Sequence, residues 1–212
     1  MIAAISLIRR RPDISVEQFR RHWLHPHGTM TAELPATRRY VQHHPFDGPG
    51  TNAYARQLDI DGVPELWFDD IESRTIAYTS PRIAECNIDS EHFIGAVSRL
   101  VTEPRAVRAA PDEGDFARIL LICTGAPDHA WSERLEAGAM RLPGVVGYVS
   151  HRLIEQAAAP NSKIPEMALP VAGLAEAVFA NEAALVSAMP HLIDLEHTGK
   201  TAAFRVQDHR FV

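Results

Sequence analysis

Leu34-Pro-Ala-Thr-Arg-Arg-Tyr-Val-Gln-His43 returns 108 positions later as Leu142-Pro-Gly-Val-Val-Gly-Tyr-Val-Ser-His151. Leu, Pro, Tyr, Val and His keep their places. Further along, Gly62, Glu65 and Phe68 recur as Gly173, Glu176 and Phe179, each offset by 111. Upstream, Ile5-Ser-Leu-Ile8 is echoed by Ile119-Leu-Leu-Ile122. The matches keep their order. Two copies at this period mean a duplicated domain rather than a solenoid.

Each copy reads as strand, helix, strand, strand, helix, strand. In the first, residues 2–9 are a short apolar strand. Ser15 stands three residues before Gln18, a capping-box start, and Val16, Phe19 and Trp23 follow at helical spacing. Pro26 and Gly28 disturb the end of that helix. Strands are expected at 38–44, 63–69 and 99–108, and Ser80-Pro81 opens a second helix. The Pro-, Gly- and Asn-containing stretch 45–62 reads as a long loop. In the second copy, strands are expected at 117–124, 145–153, 173–180 and 201–209, with helices near 129–141 and 181–190. The expected fold is therefore α+β: two ferredoxin-like βαββαβ units, at 1–108 and 116–212, joined by a linker at 109–115. Packed open face to open face, they would make an intramolecular pseudodimeric α/β barrel with a cavity between the sheets. Ile5 and Leu34 are 29 residues apart, but Ile119 and Leu142 only 23. The six missing residues are assigned to the histidine-rich segment, leaving the second unit degenerate.

The 212 residues carry a net charge of -6 without a basic block, which argues against nucleic-acid binding. No run reaches the ~20 apolar residues of a membrane helix. Arg9, Arg10 and Arg11 follow the apolar start rather than precede it, unlike a secretory signal. Cys86 and Cys123 form no metal or redox pattern. The reading is a cytoplasmic protein without nucleic-acid or membrane partners. Eleven histidines are present, five of them at 22, 25, 27, 43 and 44.

Strand alternation sorts the candidates. Leu66 and Phe68 suit a helix-facing core, which directs Glu65 and Trp67 into the inter-sheet cavity. With Val41 on the helix side, Tyr40 and Gln42 would join them. His27, beside Gly28, titrates near neutrality if unperturbed. His25 and His27 with Asp47 lack a diagnostic metal spacing, and no metal is expected. Nucleophile elbows, phosphate loops and dinucleotide fingerprints are absent.

Ile5-Ser-Leu-Ile-Arg-Arg-Arg-Pro12, Glu17-Gln-Phe-Arg-Arg-His-Trp23, His27-Gly28, Leu34-Pro35, Arg39-Tyr-Val-Gln42 and Glu65-Leu-Trp-Phe68 together resemble the EthD family of the dimeric α/β-barrel superfamily. The resemblance covers residues 1–108 well and 116–212 faintly. It implies that the family's usual homodimer is replaced by an intramolecular pseudodimer, and a homodimer of such chains stays open. The methylmuconolactone isomerase branch is similar in the Glu-Gln-Phe-Arg segment, in His27, in Tyr40 and around His92-Phe-Ile-Gly95. That carries catalytic roles onto His27 and Tyr40.

The expected function is cofactor-independent acid–base chemistry on a small aromatic, ketide or lactone compound: isomerisation, cyclisation, dehydration or decarboxylation, a lyase or isomerase. His27 would be the general base or acid, Tyr40 an oxyanion donor, and Glu65 the group that orients His27 or shuttles a proton. Trp67 and Phe93 would wall the substrate, with His25, Gln42, His44 and His92 as further contacts. The alternatives are a cofactor-free monooxygenase of a phenolic substrate and a non-catalytic small-molecule carrier. Loops 45–62 and 155–172 are expected to set substrate choice.

Overall fold

The computed structural model describes residues 1–110, 114–125, 129–156, 162–196 and 200–212. In order come β1 (Ile2–Arg10), α1 (Val16–His22), a π-helical turn (Trp23–His27), α2 (Gly28–Ala32), β2 (Arg39–Pro45), α3 (Ala53–Leu58), β3 (Val63–Phe68), α4 (Ile71–Tyr78), α5 (Pro81–Ser90) and β4 (Ile94–Arg108). Then follow β5 (Ala117–Thr124), α6 (His129–Ala139), β6 (Val145–Gln156), β7 (Val171–Phe179), α7 (Glu182–Glu196) and β8 (Lys200–Arg210). The Ser15/Gln18 capping box forms in both directions, and Ser80 caps α5 with Pro81 in the first turn. Pro26 cannot extend the helical ladder. His25 accordingly leaves helical angles (φ -145°, ψ 123°), and the chain widens into the π-helical turn before α2.

The expected α+β pseudodimer of ferredoxin-like units is corrected by the sheet. The strands form one closed antiparallel barrel in the order β1-β3-β2-β8-β5-β7-β6-β4. Two pairings cause the closure. β2 pairs with β8 from Val41↔Arg210 to Pro45↔Val206, and β4 pairs with β6 from Leu100↔Gln156 to Arg108↔Tyr148. Both joins connect the N-terminal half of the chain to the C-terminal half, so neither half keeps a free edge. The fold is mainly strand, a single barrel wall rather than two facing sheets.

The space expected between the sheets is filled. Ile5, Leu7, Leu100, Leu120, Ile122, Leu174 and Phe204 form one buried cluster inside the wall. The region 45–62, expected as loop, contains α3, whose Ala55 and Leu58 join that cluster. Arg9 holds the Leu58 carbonyl, and Tyr54 bonds Thr124 at 2.5 Å. α3 therefore stops the barrel end at which β1 and β5 finish. Met167 and Leu169 pack against the same cluster. The rest of the expected 155–172 insert includes 157–161, which lie outside the described residues, as do 111–113 of the expected linker.

The outer wall carries the other apolar face. In the first half, Tyr40, Leu66 and Phe68 pack under the helices with Ala77, and Ile8, Phe19, Trp23 and Phe93 form a neighbouring cluster. In the second half, Ile119, Tyr148 and Phe179 meet Trp131, Leu135 and Leu185.

Two tryptophans seal these outer layers identically. A Cβ on Gly62 would stand 2.6 Å from the Trp23 ring, and one on Gly173 would stand 2.6 Å from the Trp131 ring. Trp23 and Trp131 are 108 apart, and both precede their Leu-Pro by the same interval. The six missing residues therefore lie before Trp131. This corrects the expected loss of the histidine segment: it is substituted, with Glu133, Arg134, Leu135 and Glu136 standing where the first half has His25, Pro26, His27 and Gly28. Gly62→Ala and Gly173→Ala are each expected to destabilise the protein by roughly 1–3 kcal/mol, because a buried indole must move. Urea unfolding checks this, and an unchanged midpoint would mean the rings have room.

Candidate functional site

On the outer face of the first half, α5 brings Asp89 under the histidine-rich turn. Its carboxylate is shared by two imidazoles. Oδ2 lies 2.8 Å from His27 Nδ1, and Oδ1 lies 3.0 Å from His22 Nε2. Burial pushes the Asp89 carboxyl up, but the hydrogen bonds from His27 and His22 outweigh it and hold the group below its usual range. With Nδ1 of His27 donating to Asp89, Nε2 is the nitrogen that carries the lone pair. Phe93 packs on both rings, 5.0 Å from His22 and edge-on at 4.9 Å from His27. A cleft of about 340 Å³ opens here, lined by Ile14, Gln18, Arg21, His22, His25, His92 and Phe93. His22, His25 and His92 thus meet an aromatic ring and a cation at one opening, with the Asp89 carboxylate held behind His22.

Beside it runs a second, buried set. Gln42 Nε2 donates to the Trp23 carbonyl and to the Tyr40 hydroxyl, both at 2.7 Å, and its Oε1 lies 3.0 Å from His44 Nε2. His44 stacks on Trp23 at 4.4 Å. Phe211 stacks on Tyr40 at 5.0 Å. Gly28 is required here, since a Cβ would overlap the Phe211 ring and approach Gln42 Nε2 to 2.9 Å. Burial drives the Tyr40 hydroxyl well above its ordinary pKa. Burial, then the charges of His209 and Arg20, lower His44 to about 3.

The register places Tyr40 opposite Leu66 and Val41 opposite Glu65. Tyr40, Gln42 and His44 therefore face the helices, and Val41 and His43 face the barrel interior. The expectation that Tyr40 and Gln42 enter an inter-sheet cavity is corrected: alternation had them on one face, and the wrong face was taken as inner. Glu65 does lie inside, 1% exposed, so the wall separates it from His27. It can neither orient His27 nor pass it a proton. Trp67 is also on the interior side, under the Arg39 guanidinium at 5.0 Å. His25 is exposed, with Nδ1 3.3 Å from Thr29 Oγ1. Asp47 pairs with Arg56 instead of the histidines.

A third set sits in the barrel interior. His43 Nδ1 lies 2.7 Å from Asp208 Oδ1, and Nε2 lies 3.4 Å from Glu65 Oε2. His151 Nε2 is 3.7 Å from Glu65 Oε1 and 3.6 Å from Glu176 Oε1. Arg118 pairs with Glu176 and, at 2.6 Å, with Asp208. Burial pulls His43 down, but Asp208 and the two glutamates outweigh it and raise it to about 10. Arg118 and the histidines hold Glu176 well below the carboxylate range against the opposing effect of burial.

Sequence reasoning missed Asp89, 62 residues from His27, because nothing in Cys86-Asn-Ile-Asp-Ser90 marks it. It counted His22 in the cluster without a role. The second half has a larger cleft of about 770 Å³ beside Trp131, with Arg105, Ser150 and His151 on its walls. Leu135, in the apolar core, stands in place of His27, and no matching dyad forms among the described residues.

Residues 11–96 match the EthD domain family. The matched segment is about two fifths of the chain. It contains His22, His27, Tyr40 and Asp89, so the helix-face site lies wholly within it. No curated protein matches the chain. Several solved structures share the fold of the whole chain. An anthrone oxidase-like protein superposes with a TM-score of 0.61 at 8% identity, covering 99% of this chain and 92% of its own. A "putative monooxygenase" from Lactobacillus acidophilus gives 0.55 at 12% identity, covering 98% and 93%. One from Fusobacterium nucleatum subsp. nucleatum gives 0.61 at 8%, covering 98% and 91%. No helix among the described residues is long and apolar enough to cross a membrane.

The His44 shift has a definite sign. The folded value, about 3, lies below the unfolded value of about 6.5. The folded state therefore binds fewer protons, so this stability is complete above about pH 6.5 and is lost as pH falls toward 3, at up to ~1.4 kcal/mol per pH unit. His44→Gln should unfold with a flatter dependence between pH 7 and 5 than wild type. Urea titrations at the two pH values test it, and parallel losses would refute it.

Proposed function

We propose that the protein is a cofactor-independent enzyme whose first step is removal of a proton from a small aromatic or ketide substrate by an imidazole of the Asp89 pair. The observation that carries this reading is the single carboxylate bonded to Nδ1 of His27 and Nε2 of His22. Such a carboxylate fixes the tautomer of His27, makes Nε2 basic, and stabilises the imidazolium formed when the proton arrives. His22 lines the cleft and shares Asp89, so the bridge links the more buried imidazole to the more exposed one. Phe93 offers an aromatic wall, and Arg21 at the opening favours a phenolate, enolate or carboxylate. A cleft of about 340 Å³ suits a compound of one or two rings. Returning the proton at another atom completes an isomerisation, and loss of a leaving group completes a dehydration.

The same first step serves a second reading, which the names of the structural neighbours favour. A carbanion formed in the cleft can reduce dioxygen itself. A ring CH2 then becomes C=O, one oxygen atom entering the product and the other leaving as water. Dependence on oxygen separates the two readings.

Tyr40 has a positioning role here rather than the oxyanion role expected from sequence. Its hydroxyl is spent on Gln42 and its ring lies under Phe211. Glu65 has no role in proton transfer at this site.

The test is a turnover screen over phenols, anthrones, β-keto compounds and unsaturated lactones, with no added cofactor, with and without oxygen. His27→Ala is expected to lower turnover by roughly 10²–10⁴-fold. Asp89→Asn should lower kcat with little change in KM. Binding without conversion in every pool would instead support a carrier. Tyr40→Phe should keep turnover within a few-fold while losing about 1 kcal/mol of stability, because the buried Gln42 amide loses an acceptor. Loss of activity in Tyr40→Phe with His27→Ala active would reverse the assignment.

A further inference from the structure

The strongest unassigned feature is the interior set of two histidines and two glutamates. His43 and Glu65 come from β2 and β3, and His151 and Glu176 from β6 and β7. In the ring of strands, β2 stands opposite β6 and β3 opposite β7. The repeat therefore places two equivalent His/Glu pairs face to face across the barrel. All four residues are at most 4% exposed.

Their spacing is loose for hydrogen bonding. His43 Nε2 to Glu65 Oε2 is a long hydrogen bond at 3.4 Å, and His151 Nε2 lies 3.7 and 3.6 Å from Glu65 and Glu176, beyond the usual 2.7–3.2 Å. Glu65 Oε1 and His151 Nε2 have no hydrogen-bond partner although they are buried. Orphaned buried polar atoms call for an explanation. Ligand atoms held 2.0–2.1 Å from one tetrahedral ion lie about 3.3–3.4 Å from each other. The three separations above are close to that value, with Glu65 presenting Oε2 to His43 and Oε1 to His151. One ligand atom each from His43, Glu65 and Glu176 falls within 4.8 Å of the others.

The surrounding groups are arranged as metal sites require. His43 has Nδ1 on Asp208 at 2.7 Å, and His151 has Nδ1 3.1 Å from Thr102 Oγ1. Both rings therefore turn Nε2 toward the gap, each held by a group behind it. Arg118 grips the far oxygen of Glu176. A cleft of about 470 Å³ at the start of β5 has on its wall Arg118 and Asp208, which contact Glu176 and His43 of the set.

We propose that this interior set binds one first-row divalent transition cation through His43, Glu65, His151 and Glu176, cross-bracing the two halves of the barrel. Two imidazoles with two carboxylates suit zinc, cobalt, manganese or ferrous iron better than magnesium or calcium. Two carboxylates balance the cation's charge, so its burial leaves little net charge in the interior. The sequence reading expected no metal, and this site does not overlap the helix-face cleft.

Chelator-treated full-length protein titrated with Co2+ tests it. The expected result is saturation at one equivalent with a visible d–d absorption band, and a melting temperature that rises with the logarithm of Co2+ concentration. Glu65→Gln and His151→Gln should lose both signals, and His25→Ala and His92→Ala should keep them. Absence of saturable one-equivalent binding overturns the proposal. So does loss of the band in His25→Ala with retention in the interior variants, which would place the ion at the exposed histidines. If the interior variants do not fold, X-ray absorption of the wild-type Co2+ protein decides. Two imidazole nitrogens with carboxylate oxygens support the site, and a shell of water oxygens alone refutes it.

Discussion

Closure of the barrel is the constraint on which the rest depends. Each strand pairs on both sides, so the backbone hydrogen bonds are satisfied around the ring and the interior is cut off from water. Anything ionisable that points inward must find partners there, because an uncompensated buried charge costs several kcal/mol. Glu176, Asp208, Arg118 and His43 do so by meeting one another, while Glu65 Oε1 and His151 Nε2 are left without a hydrogen-bond partner. Apolar side chains and α3 fill the remaining interior. Among the described residues the interior is therefore packed, and the histidine-lined cleft lies outside the wall, against the helices covering it.

On that outer wall the two halves have diverged by substitution. The Trp23/Gly62 and Trp131/Gly173 contacts show that both halves seat their first helix against the strands in the same way. From that shared anchor the first half continues through Pro26 into a widened turn, which sets His27 over Asp89. The second half has Leu135 at the corresponding place, packed in its apolar core. Deletion would have removed the helix's support. Substitution keeps the packing and removes only the His27–Asp89 contact.

Part of this was written in the sequence. The offsets of 108 and 111 marked the duplication, the Ser15/Gln18 capping box and Ser80-Pro81 marked helix starts, and the histidine cluster marked the segment that meets Asp89. Alternation correctly grouped Tyr40 with Gln42 and Glu65 with Trp67. Other features had no local signature. Asp89 is an ordinary helical aspartate until α5 folds against the turn. The 45–62 stretch was read as loop because Pro, Gly and Asn surround it, yet Asn52 caps α3 within it.

The sequence by itself determined periodicities, repeats and turn chemistry, since these depend on neighbours a few residues apart. It determined which side chains share a face of a strand. Only the tertiary structure decided which face is inside, because period-2 alternation is the same viewed from either side. Val41 and Tyr40 each suit a helix-covered wall, and only the β2–β3 register with Glu65 chooses between them. Tertiary structure alone also joined the halves through β2–β8 and β4–β6. Strand edges carry the same N–H and C=O groups whatever the sequence, so partner choice is settled by closing the ring.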